Sequence, residues 1–343
     1  MTTSQVYEYS CAIHVHSTIS DGTGEVHEII QAGQAAELDV LILTDHNSLR
    51  AKTEGWEGWH GGLLFVVGEE VSSRRGHCLA LGTKSEVNQY QSAGGIVRDI
   101  RVQNGLAFLA HPHGVYRPLL HTRDHSWKDW NVAGFTGIEL WSYMFDWVSE
   151  LKYHHFLRHY RNPQAQIKGP FPKTVHLWDR LCQKERIVAI GGVDAHAKKY
   201  PFLPFVVFPY EYLFKTLRTH ILTNEPLAED KSEAIEASLA AMRQGNCFAS
   251  YDYLHNGKGT RFFSADNNLI MGDEAEYHEP LDLVVTLPWK AHLSVVRNGV
   301  AIKRAEEKDL EFRADSPGVY RVEARLDGKP WIYTNPIYLR STS

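Results

Sequence analysis

At 343 residues, with 43% apolar side chains, the chain is long enough for one sizeable barrel plus a small second domain, or for a single large domain. A formal net charge of −5, with no dense Lys/Arg stretch, excludes a dedicated nucleic-acid surface, and no segment has the length of an uninterrupted apolar membrane span. Cys11, Cys78, Cys182 and Cys247 are scattered without a C-x-x-C pair and read as separate core thiols, while residues 1–9 lack the basic-then-apolar pattern of a signal peptide, so a cytoplasmic protein is expected.

The first predicted element is a strand over residues 9–15, followed by a helix over 24–38 that carries Val26, Ile29, Ile30 and Leu38 at helical spacing. Short apolar runs at 40–43 and 63–68 are the next strands, and 76–82 reads as a strand beginning with His77. A helix over 93–104 precedes strands at 106–109 and 137–141; a helix over 173–184 precedes a strand at 187–190, and 205–208 is the last run of this type. Strand-then-helix repetition predicts a parallel sheet with crossover helices. A helix over 229–244 then closes the barrel, and from about residue 257 the texture changes to short strands at 261–263, 281–287, 292–296, 310–312, 319–326 and 331–339. Asn298-Gly299 and Asp327-Gly328 supply hairpin turns there. The expected division is a barrel over residues 1–255 and a small all-β, immunoglobulin-like sandwich over 256–343.

Nine residues of metal-binding type lie at or near the ends of these runs: His14, His16, Asp21, His46, Glu70, His77, His111, Asp194 and His196. His14 and His16 are two apart and share one face of a strand, and Asp194 and His196 repeat that spacing. Ligand-type residues at the ends of many strands favour a closed barrel, which gathers strand ends around one axis, over an open sheet, which spreads them. One catalytic ion needs about three protein ligands; nine fit two or three divalent ions bridged by carboxylates. Such a centre generates an ionised nucleophile at neutral pH and clamps oxyanions, which is the chemistry of a hydrolase.

The motifs His14-x-His16 with Asp21, Thr44-Asp45-His46-Asn47, Gly68-Glu69-Glu70-Val71-Ser72, Gly76-His77, His111-Pro112 and Asp194-x-His196 together resemble the PHP (polymerase and histidinol phosphatase) superfamily over roughly residues 7–255. Residues 137–141 and the tail over 331–338 resemble its carbaryl-hydrolase-like branch. The resemblance implies a distorted (β/α)7 TIM-like barrel with up to three zinc, manganese or iron ions at the C-terminal ends of the strands. It implies one ion on His14, His16, Glu70 and Asp194, a second on Glu70, His77 and His111, and a third on Asp21, His46 and His196. It also puts the ligand immediately before Val71, favouring Glu70 over Glu69.

Other residues carry paired readings. Asp45 is either a carboxylate orienting a ligand histidine, and so part of the catalytic apparatus, or a helix-capping or solvated Asp. His113 either protonates a leaving group or touches substrate, or is a surface histidine. Arg117, Arg123, Lys198 and Lys199 either bind phosphate or are solvated charges, and Glu139 either binds substrate, supports a ligand or packs at the core rim. The aromatic-rich insertions at 115–132 and 142–169 are either pocket walls or an ordinary helical cover. The function expected first is a phosphoesterase in which a metal-bridging hydroxide attacks a small phosphate ester. Hydrolysis of a carboxylic or carbamate aryl ester is the alternative. A non-catalytic metal-stabilised protein, binding a partner through exposed aromatics such as Trp289 or Trp331, is the alternative of another class.

Overall fold

The computed structural model describes residues 6–114, 125–199, 205–264 and 269–341, and the predicted alternation of strands and helices resolves into a mixed α/β arrangement. β1 (Tyr7–Ile13) is followed by α1 (Val26–Ala35), β2 (Val40–His46), β3 (Leu63–Ser73), β4 (Gly76–Leu81), α2 (Ala93–Val102), β5 (Leu106–Leu109) and β6 (Gly137–Ser142). The chain continues through α3 (Tyr143–Ser149), α4 (Phe156–Arg161), α5 (Pro172–Cys182) and β7 (Val188–Gly192). Next come β8 (Leu217–Thr223), α6 (Lys231–Gln244) and β9 (Cys247–Tyr251). Local chemistry sets the helix ends: Ser92 accepts from Gly95 N–H at the start of α2, Asp230 accepts from Ser232 and Glu233 N–H at the start of α6, and Gly245, at φ 87°, ends α6.

β1, β2 and β3 pair in parallel, as do β5, β6 and β7. β4 departs from the expected all-parallel pattern, running antiparallel to both β3 and β5. The reason is the connection: only Arg74 and Arg75 separate Ser73 from Gly76, far too short for the crossover of a dozen or more residues that a parallel neighbour needs. Just beyond β7 the chain returns to the first strand, with Val193 N donating to Ile13 O, Ala195 N to His14 O and His16 N to Ala195 O.

Side-chain alternation sorts these strands into two faces. Val40 and Ile42, Leu64 and Val66, Leu106 and Phe108, and Val188 and Ile190 form one apolar cluster. Their neighbours Leu41, Leu43, Phe65, Val67, Ala107, Leu109 and Ala189 pack in a second cluster with α1, α2 and α5. Ala234, Leu239 and Met242 of α6 join the first cluster, and Arg243 of the same helix donates to Asn104 O just before β5. That helix therefore covers the end where the parallel strands begin, leaving the end where they finish for the site.

Two sequence expectations change here. Residues 205–208 contribute no barrel strand: only Val206–Val207 are extended, paired with Lys198–Lys199 in a separate two-stranded sheet, because Phe208 turns to φ 55°. Strands β8 and β9 were not anticipated: β8 runs antiparallel beside β1, and β9 antiparallel beside β8. Arg218, Thr219 and His220 had hidden β8; Arg218 and His220 are buried because Asp252 and Glu8 pair with them, and the Thr219 hydroxyl bonds to the backbone of Gly191.

After β9 the described elements are all strands, among them β10 (Arg261–Ser264), β11 (Leu281–Arg297), β12 (Val300–Ala314), β13 (Gly318–Leu326), β14 (Lys329–Thr334) and β15 (Ile337–Ser341). Phe262, Leu283, Val295, Phe312, Tyr320 and Trp331 belong to a third apolar cluster in this region. The two hairpin turns form as expected, with Asn298, Gly299, Asp327 and Gly328 all at positive φ. Runs 281–287 and 292–296 are one strand with a register shift between Thr286 and Ala291, and 331–339 divides at Asn335-Pro336. The sheet is continuous with the first half of the chain, since β14 pairs with β9 through Ala249 and Tyr333. Trp331 is fully buried in this cluster, whereas Trp289 is exposed and stacked on His255. Among the described residues no helix is long and apolar enough to cross a membrane.

Candidate metal centre

The alternation of β3 carries Leu64, Val66, Gly68 and Glu70 to the inner face and Phe65, Val67 and Glu69 to the other. Glu70 therefore enters the centre, while Glu69 accepts a hydrogen bond from Val87 N at 2.7 Å and burial raises its carboxyl to about 7. By the same alternation β2 turns His46 inward and Asp45 outward. His77 begins β4 rather than ending it, and strand reversal brings that beginning level with the end of β3, opposite Ser72.

Alternation alone would send His14 outward after Ile13, and His111 outward after Ala110. Instead His14 (φ 70°), His111 (φ 27°) and Asp194 (φ 52°) adopt left-handed backbone conformations just past their strands. Such conformations cost a non-glycine residue about 1–3 kcal/mol each and gather where function requires them. The backbone bond from Ala195 N to His14 O holds two of these turns together.

All nine residues named from the sequence converge. Glu70 is the hub: its Oε2 lies 3.2 Å from His14 Nε2, 3.3 Å from His16 Nε2 and 3.2 Å from His46 Nδ1. Its Oε1 lies 2.7 Å from His77 Nδ1 and 3.1 Å from His111 Nε2. Asp194 Oδ1 is 3.3 Å from His14 Nε2, 3.4 Å from His16 Nε2 and 3.5 Å from His196 Nδ1. Asp21 Oδ1 is 3.0 Å from His196 Nε2 and 3.5 Å from His46 Nε2. Among the described residues four overlapping groups could each hold an ion: His16, Asp21, His46 and His196; His14, His16 and Glu70; His14, His111 and Asp194; and His46, Glu70 and His77. His14, His16, His46 and Glu70 each belong to two of these, so the groups do not divide one-to-one into the three ligand sets that the resemblance implies.

The donor set fits divalent cations. Nε2 of His14 and both ring nitrogens of His16 are buried without a hydrogen-bond partner, although carboxylate oxygens stand close by. Leaving such groups unpaired costs roughly 1–3 kcal/mol each unless something else binds them. Protonation cannot satisfy all the rings, because imidazole centroids stand as close as 4.1 Å (His16 and His196) and 4.5 Å (His16 and His46). Two charges about 5 Å apart repel by about 3 kcal/mol at an effective dielectric of about 20. The groups accordingly split. Burial opposes charge on His14 and His16, yet the surrounding carboxylates raise His14 well above its usual value and His16 to about 9. On His46, burial together with the neighbouring His16 and His77 prevails and lowers it to about 4. Burial also opposes charge on Asp21, but His196 and Lys198 hold it well below the carboxylate range.

Buried neighbours orient the rings of the cluster. Glu139 takes no part in the cavity: its Oε1 lies 2.9 Å from His14 Nδ1, and its Oε2 accepts from His111 N–H at 2.6 Å. A proton held at Nδ1 leaves the Nε2 lone pair of His14 toward Glu70 and Asp194. Ser72 Oγ, which sequence reasoning passed over although it stands in the G-x-E-V-S motif, lies 2.6 Å from His46 Nδ1. The carboxylate of Asp45 meets no histidine; it accepts from Ser17 N–H, Ser17 Oγ and Ser20 Oγ, so it fixes the loop that presents Asp21. His113 stands apart from the cluster, sharing a 2.9 Å hydrogen bond with Thr174 Oγ1 and stacking on Trp130. Its proximity in sequence to His111 misled because the left-handed turn at His111 separates the two side chains.

The cluster opens into a cavity of about 260 Å³. Lys198 lines it, with Nζ 2.8 Å from Asp21 Oδ2; Lys199, on the same short strand, is exposed and does not. His125 lines it too, its ring 4.4 Å from that of His77. The sequence held no signal for His125, which lies in an insertion without periodicity. Arg117 and Arg123 lie outside the described residues.

No protein-family model matches the chain. An uncharacterized protein of Methanocaldococcus jannaschii is 24% identical over 113 residues, covering 29% of this chain and 66%, just under two thirds, of that relative. A two-domain protein of Bacteroides vulgatus containing a predicted PHP-like metal-dependent phosphoesterase is similar at a TM-score of 0.47 and 15% identity, over 96% of this chain and 95% of that one. An amidohydrolase from Chromobacterium violaceum, with bound sulfate and no metal, is similar at a TM-score of 0.34 and 18% identity, over 58% of this chain and 90% of that one. These likenesses are distant, and the functional reading rests on the residues of the site.

Proposed function

We propose that the protein is a metal-dependent phosphoesterase acting on small phosphate esters. The observation that carries this reading is Glu70, one buried carboxylate in reach of five imidazoles, with Asp194, Asp21 and His196 completing a nine-residue cluster. His14, His16, Glu70 and Asp194 would hold one ion, Glu70, His77 and His111 a second, and Asp21, His46 and His196 a third. Bound there, divalent cations supply Lewis acidity toward a phosphoryl oxygen and make water a competent nucleophile near neutral pH.

The chain's own groups do the rest. Glu139 and Ser72 orient His14 and His46, and Asp45 holds the Asp21 loop. Lys198 Nζ gives the cavity a cation beside Asp21, suited to a dianionic phosphoryl group. The apolar side of the cavity limits bulk water around the reacting group. The proposal includes a distorted seven-stranded PHP-type barrel over residues 1–255, a β-sandwich over 256–343, and a soluble cytoplasmic enzyme whose partner is its small-molecule substrate.

The test is a parallel screen of the protein, reconstituted with zinc, manganese or iron, on an alkyl phosphate, a phosphodiester and an aryl carbamate. Phosphate release that disappears in Asp194→Ala and His16→Ala is expected. Carbamate cleavage without phosphate release would replace this reading with carbonyl-ester hydrolysis, and full activity in both variants would remove the site assignment.

A further inference from the structure

We propose that the substrates are phosphate monoesters of small, largely apolar alcohols, the hydrocarbon part of the leaving group lying against α3; this rests on the phosphoesterase reading above. The cavity of about 260 Å³ has two chemically distinct sides. One is the ligand cluster with Lys198 and His125. The other is formed by Met144, Phe145, Trp147, Phe156, Val207 and Leu213. Among the described lining residues every charged or titratable group belongs to the first side.

The two sides meet directly. The Phe145 ring stacks on that of His111 at 4.2 Å between centroids, so the apolar wall begins beside a ligand ring. A leaving group attached through one oxygen to phosphorus at the cluster would meet that wall within its first few carbons. The wall is preformed. Phe145, Trp147 and Leu213 are themselves buried, and α3 is pinned by Asp146, whose carboxylate accepts from Trp141 Nε1, Lys168 N–H and Gly169 N–H. A rigid apolar surface rewards a hydrocarbon group without an ordering cost. A polyol or nucleoside would lose the hydration of its hydroxyls there and meet no charged partner among the described wall residues. The volume admits a phosphoryl group and one ring.

In the reaction one water forms a P–O bond as the P–O bond to the alcohol breaks. The leaving oxygen takes up a proton that the water gives up, and inorganic phosphate and the free alcohol result.

The experiment compares benzyl phosphate with glycerol 2-phosphate on the metal-reconstituted full chain; both are alkyl esters, so the leaving oxygen itself is of one type. It also compares calorimetric binding of benzylphosphonate and methylphosphonate, which are not hydrolysed. We expect kcat/KM for benzyl phosphate to be at least thirtyfold higher and benzylphosphonate to bind at least tenfold tighter. Met144→Asn and Phe156→Ser, at half-buried positions, should each erode both preferences while leaving inhibition by inorganic phosphate within twofold. Equal use of the two esters together with equal phosphonate binding overturns the inference and leaves the phosphoesterase standing. Release of phosphate from no ester, with carbamate cleaved, overturns the reading beneath it.

Discussion

Glu139→Gln is the perturbation that most sharply separates a ligand-orienting role from a packing role. Both carboxylate oxygens of Glu139 are engaged, one with His14 Nδ1 at 2.9 Å and one with His111 N–H at 2.6 Å. A glutamine of the same shape keeps one acceptor oxygen and turns its NH₂ toward whichever donor remains. If the amide faces His14, the imidazole meets a donor, shifts its proton to Nε2 and loses the lone pair that points to Glu70 and Asp194. If it faces His111, a buried N–H is left unpaired next to a residue already at φ 27°. A hydrogen bond to a charged group contributes roughly 1.5–3 kcal/mol, and disturbing the partners of ligand histidines commonly lowers metal affinity 10–100-fold. The expected result is a zinc dissociation constant raised by one to two orders of magnitude in a competition titration, with little change in the melting temperature of the metal-free protein. A Kd within threefold of wild type in a folded Glu139→Gln protein would refute the orienting role.

Four further outcomes follow from the same geometry. Ser72→Ala removes the hydroxyl bonded to His46 Nδ1 and should weaken metal binding several-fold without measurable loss of secondary structure by circular dichroism. Asp45→Ala deletes three hydrogen bonds to the loop that carries Asp21; on dialysis this variant should lose one equivalent of metal before the others, read by elemental analysis. His220 lies between Glu8 and Asp252, and although burial opposes its charge those carboxylates raise it to about 9. Because the folded value exceeds the usual 6.5, its contribution is complete below pH 6.5 and fades as pH rises through 9, roughly 3 kcal/mol at most. Chemical denaturation across that window should show the decline, and His220→Gln should flatten it. Arg321 forms a buried pair with Asp179 through two hydrogen bonds, joining β13 to α5; Arg321→Ala should cost about 3–5 kcal/mol in the same assay, and a loss under 1 kcal/mol would contradict that placement.

Much of the site was legible because strand periodicity reports the face a residue occupies. Leu64, Val66 and Glu70 share a parity, and that physical reason for preferring Glu70 to Glu69 is independent of any family pattern. Parity fails at His14 and His111, where left-handed backbone turns reverse the side chain, and no local sequence feature announces them. Glu139 stood at the end of an apolar strand with three readings open, and only the meeting of three strands shows that it bonds to two histidines of the cluster at once. The role of Asp45 depends on the loop after β1 bringing Ser17 and Ser20 to the end of β2, a contact that spacing does not encode. In the fold, β8 was hidden by Arg218 and His220, whose burial depends on partners some two hundred and about thirty residues away in Glu8 and Asp252. The long polar stretch of β12 was hidden because Lys303 to Asp309 are largely solvated on both faces, and a strand without a buried face has no alternation to read.

Metal stoichiometry tests the central claim most directly. Elemental mass spectrometry of the dialysed, reconstituted protein should give two to three equivalents of divalent transition metal per chain, falling below one in Glu70→Gln, because Glu70 serves several ligands together. Less than one equivalent in the wild type, or an unchanged content in Glu70→Gln, would contradict the reading of these nine residues as a multinuclear centre.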